Sequence, residues 1–226
     1  MKSEQVTCKT LKYERGWEMR QAKLFWGCVV IFEMLFLLLG GTHQAWTQSD
    51  FSAKPLNVIF ISSKIENAEA IKNAADEDAV TVIYDFENAT LRQFNLTLQE
   101  LVQWKKRKID HLMLFCHGAP GTIILTAKDI INVKSLKKQA DEWKFFGNMF
   151  NRDATIDFYG SEIGWGEEGK KLVTSLSQMT GANVRASINP SGNIHDADWK
   201  LEIKTGDNNS SCPINFSQLA KTPLYF

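Results

Sequence analysis

The sequence predicts an α/β domain, in which a mostly parallel sheet is covered by helices on both faces to give three layers. Three observations predict it. Short apolar runs recur, as in Asn57–Ser63 (NVIFISS), Ala79–Asp85 (AVTVIYD) and Ile109–Cys116 (IDHLMLFC). Their continuous hydrophobicity is that of strands buried on both faces. Between them lie stretches with apolar residues at helical spacing, and strand–helix alternation implies parallel pairing through crossovers. Composition agrees: 226 residues at 44% hydrophobic and 23% charged suffice for one ordinary domain with residues to spare, and exclude a wholly disordered chain.

Taken in order, the first strand is followed by a helix over Glu66–Ala75, with Ala and Ile at helical spacing. After the second strand, Leu91–Arg107 places Leu91, Phe94, Leu98, Leu101, Val102 and Trp104 on one helical face. The third strand ends in His117-Gly118. Gly121–Val133 reads as a short hairpin or loop excursion, and Ser135–Phe150 as a helix capped by Ser135. Thr155–Tyr159 (TIDFY) is a fourth strand, ending in Gly160-Ser161. Gly166–Met179 is a helix with Glu167 and Glu168 in its first turn, where they suit the macrodipole, and Gly181 as its C-terminal stop. Asn183–Ser187 is a fifth strand and Trp199–Lys204, which alternates, an edge strand.

The N-terminal region reads as a targeting segment. Residues 24–41 (LFWGCVVIFEMLFLLLGG) are apolar apart from Glu33, near the lower length limit for a bilayer-spanning helix. Basic residues crowd 1–23, and none follows until Lys54, so the positive-inside rule keeps the N-terminus cytoplasmic and exports the rest. An uncleaved anchor and a signal peptide cut near Thr42 or Thr47 both fit. The division expected is therefore a cytoplasmic stretch 1–23, a membrane anchor or signal segment 24–41, a linker 42–54, an α/β domain 55–206 and a polar tail 207–226. Export would expose sequons at Asn88, Asn95, Asn208, Asn209 and Asn215 to glycosylation in a eukaryotic host.

Lysine plus arginine equals aspartate plus glutamate at 26 each, which argues against nucleic acid as a partner. The four cysteines, Cys8, Cys28, Cys116 and Cys212, form no CxxC pair, so a disulfide scaffold or cysteine zinc site is not expected. His43, His111, His117 and His195 are scattered, and His195-Asp196 with Asp198 reads as an exposed polar turn rather than a ligand set. No metal and no cofactor is expected.

In open parallel sheets, sites form beyond the carboxyl ends of the strands. Two such ends carry reactive groups beside glycine: Leu114-Phe115-Cys116-His117-Gly118 and Phe158-Tyr159-Gly160-Ser161-Glu162. On neighbouring strands, His117 and Ser161 would come within reach of each other, a base beside a hydroxyl. Gly118 and Gly160 would let backbone approach a substrate, with Glu162 at the rim.

These motifs, with Gly166-Glu167-Glu168-Gly169, Thr180-Gly181-Ala182-Asn183-Val184-Arg185-Ala186-Ser187 and Asp198-Trp199-Lys200-Leu201-Glu202 following in order, carry a resemblance. Asn57–Gly206 resembles the uncharacterised domain found near the start of giant bacterial surface proteins with cadherin-like or calcium-binding repeats. That domain is itself similar to the caspase and gingipain group of cysteine peptidases, whose His-Gly closes the third strand and whose catalytic Cys closes the fourth. The resemblance implies a caspase-like fold, with His117 at the catalytic histidine and Ser161 where the family has cysteine. A serine hydroxyl is far less acidic than a thiol and needs a well-oriented base. The expectation is an exported, membrane-tethered domain with weakened or lost peptidase activity that binds a protein or peptide partner. A hydrolase with Ser161 as nucleophile and His117 as general base is the alternative.

Overall fold

The computed structural model describes residues 54–206 and 212–226. Segments 1–23 and 24–41, nearly all of the linker, and sequons Asn208 and Asn209 lie outside the described residues. No described helix is long and apolar enough to cross a membrane.

Nine strands form among the described residues: β1 (Asn57–Ser62), β2 (Val80–Tyr84), β3 (Ile109–Phe115), β4 (His117–Ala119), β5 (Thr122–Ile124), β6 (Ile130–Ile131), β7 (Phe150–Tyr159), β8 (Asn183–Ala186) and β9 (Ile203–Lys204). Five helices join them: α1 (Ala68–Asn73), α2 (Leu91–Lys105), α3 (Val133–Lys138), α4 (Ala140–Gly147) and α5 (Gly166–Thr180). The main sheet has six strands in the order β2-β1-β3-β7-β8-β9, parallel except for antiparallel β9. A separate three-stranded sheet, β4-β5-β6, takes in His117–Ala119 as well as strands within the expected Gly121–Val133 excursion.

Alternation along the strands sends successive side chains to opposite faces. Val58, Phe60, Leu112, Leu114, Ile156 and Phe158 pack with buried residues of α2 to α5, including Phe94, Leu136, Trp143, Phe146 and Leu176. Ile59, Ile61, Met113, Phe115 and Tyr159 face the other way, against Ile71 of α1.

That second face corrects the expected tail. Ile214, Leu219, Leu224 and Phe226 are all at most 5% exposed and belong to its core. The backbone of Phe226 exchanges hydrogen bonds with Ser191, and Trp199 stacks on Phe216 at 4.6 Å between ring centroids. The C-terminal segment thus covers the sheet where a helix was expected, because its apolar residues bury aromatic surface that α1 is too short to cover.

Other differences are local. Asn132, not Ser135, caps the helix after β6; Ser135 is its reciprocal partner in a capping box, and the predicted helix divides into α3 and α4 at Gln139. β7 begins at Phe150, five residues before the predicted start, with a register irregularity ahead of Thr155 and Asp153 at φ 64°. Only Ile203–Lys204 of the expected edge strand pairs with β8. Asn95 is fully buried, its amide donating to the carbonyl and carboxylate oxygens of Glu142, so the folded domain has no room for a glycan there. Asn88 and Asn215 are exposed.

Candidate functional site

Strand register brings the two predicted ends together. Phe115 is the register partner of Tyr159, and Cys116 N–H donates to the Tyr159 carbonyl at 3.0 Å. Beyond them, Cys116-His117-Gly118 and Gly160-Ser161 run side by side over the carboxyl edge. His117 and Ser161 are both half-buried. Among the described residues, neither side chain makes a hydrogen bond with the other, and no carboxylate stands behind His117.

At both glycines the chain itself comes close to where a Cβ would stand. A Cβ on Gly118 would sit 2.8 Å from the Ser161 carbonyl oxygen and closer still to the Ile163 side chain. A Cβ on Gly160 would sit 2.6 Å from the Cys116 carbonyl oxygen and 2.8 Å from Ile163 Cδ1. The space these glycines open is thus filled by the chain's own turn 160–164, with Ile163 fully buried as its plug. Gly164 N–H donates to Ser187 and Glu162 N–H to Asn189, which stitches the turn to the segment after β8. Glu162 itself holds a left-handed φ of 56°, a strained conformation for a residue with a Cβ, costing about 1 kcal/mol.

Cys116 offers no reactive thiol. It is fully buried on the helix-covered face, and burial pushes its pKa up to about 12, so it stays a neutral thiol at physiological pH. Cys116 and Cys212 are both free rather than paired. His195 packs edge-on against Tyr225, and no cluster among the described residues is arranged to hold a metal.

A buried polar group lies elsewhere, on the sheet face that carries Met113, Phe115 and Tyr159. His111 on β3, Asp157 on β7 and Arg185 on β8 lie on adjacent strands. His111 Nε2 lies 2.8 Å from Asp157 Oδ2, and Arg185 donates from Nε at 2.6 Å and Nη2 at 2.7 Å to the two carboxylate oxygens. Burial works against the Arg185 charge, but the Asp157 hydrogen bond and charge outweigh it and raise the guanidinium's pKa. His111 and Asp157 are each 1% exposed, while Arg185 reaches solvent at 22%. His111 Nδ1 and the hydroxyl of Thr155, its register partner, are buried without a hydrogen-bond partner. The sequence signal was a polar, ionisable residue inside each of three strands, with Asp110 beside His111 in the first. Only the register, not the runs themselves, joins them.

The family described as a domain of unknown function (DUF4347) matches residues 58–223. Among curated proteins, the chain is similar to the NMDA receptor synaptonuclear signaling and neuronal migration factor of Homo sapiens, 28% identical over 140 residues, covering 55% of this chain and 26% of that protein. The Danio rerio protein of the same name is 25% identical over 137 residues, covering 55% and 24%. The chain therefore spans about a quarter of the length of these relatives. Among solved structures, a small-chain dehydrogenase matches at TM-score 0.35 and 11% identity, over 58% of this chain and 81% of that one. The aldohexose dehydrogenase of Thermoplasma acidophilum, in ligand-free form, matches at 0.27 and 13%, over 56% and 58%. At these TM-scores the likenesses carry no argument about function.

Proposed function

The chain belongs to the DUF4347 family, and from that premise we propose that it is an exported domain, tethered through residues 24–41, that works as a non-catalytic module binding a protein or peptide. The fold is read as caspase-like. Support comes from the position of His117-Gly118 after the third parallel strand and of Gly160-Ser161 after the fourth, in the arrangement that the resemblance implies.

One observation carries the loss of catalysis. The faces that Gly118 and Gly160 would offer a substrate are closed by Ile163 and by the chain's own carbonyl groups. A hydroxyl at Ser161 then lacks both an oriented base and a cleft in which an acyl group could sit. The curated relatives are named for signaling and migration rather than for hydrolysis, which also supports a binding role.

The side-by-side placement of His117 and Ser161 favours the second reading, a hydrolase with Ser161 as nucleophile and His117 as base. A fluorophosphonate probe with mass-spectrometric mapping separates the two. We expect no adduct at Ser161. An adduct there that disappears in His117→Ala overturns the module and establishes the hydrolase.

A further inference from the structure

β2 is the outermost strand on its side of the main sheet: it pairs with β1, and among the described residues no strand pairs with its other side. Its sequence is Val80-Thr81-Val82-Ile83-Tyr84, and Val80 to Ile83 are half-exposed. Folded proteins usually blunt such a border with a lysine, a proline, a bulge or a very short strand. This one has five residues, none charged and none proline, in unbroken parallel register with Val58–Ser62. The opposite border ends in a two-residue strand that carries Lys204. The two borders are thus treated differently, and the open one leaves alternate N–H and C=O groups available for pairing.

Charge at the ends of β2 restricts what can pair there. Asp76, Glu77 and Asp78 are exposed just ahead of it, and Asp85 and Glu87 just after. Lys54 matches Asp78, and Lys64 lies 3.7 Å from Glu87. Asp76, Glu77 and Asp85 have no ion pair within 4 Å among the described residues, although Lys128 helps the hydrogen bonds from Asn88 to lower the Asp85 pKa. A second copy of the chain laid against β2 would bring acidic ends against acidic ends, in either direction.

We propose that the β2 border is a strand-addition site for an extended peptide with an apolar, β-branched centre and basic ends. This rests on the reading of the domain as a binding module and supplies the class of its partner. Backbone pairing gives affinity, the half-exposed side chains of Val80, Val82, Thr81 and Ile83 accept the alternating faces of the added strand, and the flanking carboxylates select for lysine or arginine.

The test uses the full chain in detergent micelles and a fluorescein-labelled, acetylated and amidated probe, Lys-Lys-Val-Thr-Val-Thr-Val-Lys-Lys. Fluorescence anisotropy should show saturable binding. Replacing the four lysines by glutamate should weaken it at least about tenfold. N-methylation of alternate central residues should abolish it. Thr81→Lys should remove binding, and the pair Asp76→Lys with Glu77→Lys should restore the glutamate-ended probe, each with an unchanged far-ultraviolet circular dichroism spectrum. Failure of the lysine-ended probe to bind, or equal binding of its N-methylated form, overturns the proposal. So does binding that appears only after residues 42–53 are deleted, which would make that segment the native occupant, or a dimer that Thr81→Lys dissolves. Mass spectrometry of the recovered probe separates the two readings: a cleaved probe contradicts the non-catalytic module while leaving the docking site in place.

Discussion

Asp157 receives His111 and Arg185 together: its Oδ2 lies 2.8 Å from His111 Nε2 and 2.7 Å from Arg185 Nη2, across three adjacent strands. This pairing lets charged groups sit on a sheet face that is otherwise packed with Ile59, Met113 and Phe115. Asp157→Ala removes the acceptor that the Arg185 guanidinium shares with the buried His111 imidazole, and is expected to lower stability by about 3 kcal/mol in urea denaturation. A change below about 1 kcal/mol would mean that water or neighbouring groups satisfy both.

Gly118→Ala tests the closed rim. Its new methyl would meet Ile163 and the Ser161 carbonyl oxygen, an overpacking expected to cost about 1–3 kcal/mol. Combining it with Ile163→Ala should recover part of that loss, so the two changes should be non-additive in a double-mutant cycle.

The thiol of Cys116 predicts an alkaline limb of stability. Its folded pKa of about 12 lies above its reference value of 9.0, so the unfolded chain releases that proton first. The stabilisation is therefore complete below pH 9 and falls as pH rises toward 12, by up to about 1.4 kcal/mol per pH unit. The buried phenols of Tyr84 and Tyr159, also raised by burial, steepen the loss above pH 10. Urea midpoints from pH 8 to 11 should fall less steeply for Cys116→Ala than for the parent chain, and parallel profiles would contradict the assignment.

The sequons should divide by burial. On the folded chain secreted from eukaryotic cells, glycopeptide mapping should find Asn88 and Asn215 open to modification and Asn95 bare. Asn95→Asp, which keeps the sequence's shape but loses the amide donor to Glu142, should destabilise the α2–α4 contact by about 1–3 kcal/mol. A folded species with a full glycan at Asn95 would contradict that packing.

The parallel core was legible because its strands are short, mostly apolar runs separated by stretches of helical spacing, and the neighbouring ends at Cys116 and Gly160 followed from it. The C-terminal segment was not legible: Ile214, Leu219, Leu224 and Phe226 follow neither a helical nor a strand period, and their burial comes from the sheet beneath them. The His111, Asp157 and Arg185 group was hidden for a related reason, since the three residues lie on separate strands and only the register of those strands joins them. In the sequence, the glycines at 118 and 160 suggest room for a ligand. Sequence alone does not distinguish that from room for Ile163, because both need the same missing Cβ.

The thiol pKa of the Ser161→Cys variant tests the central claim most directly, read from the pH dependence of iodoacetamide alkylation with Cys116 and Cys212 followed as internal references. A closed, non-catalytic rim predicts an ordinary or raised thiol pKa, unchanged by His117→Ala, and no gain of peptidase activity. A thiolate formed well below neutral pH that is lost in His117→Ala, together with peptide cleavage, would contradict it.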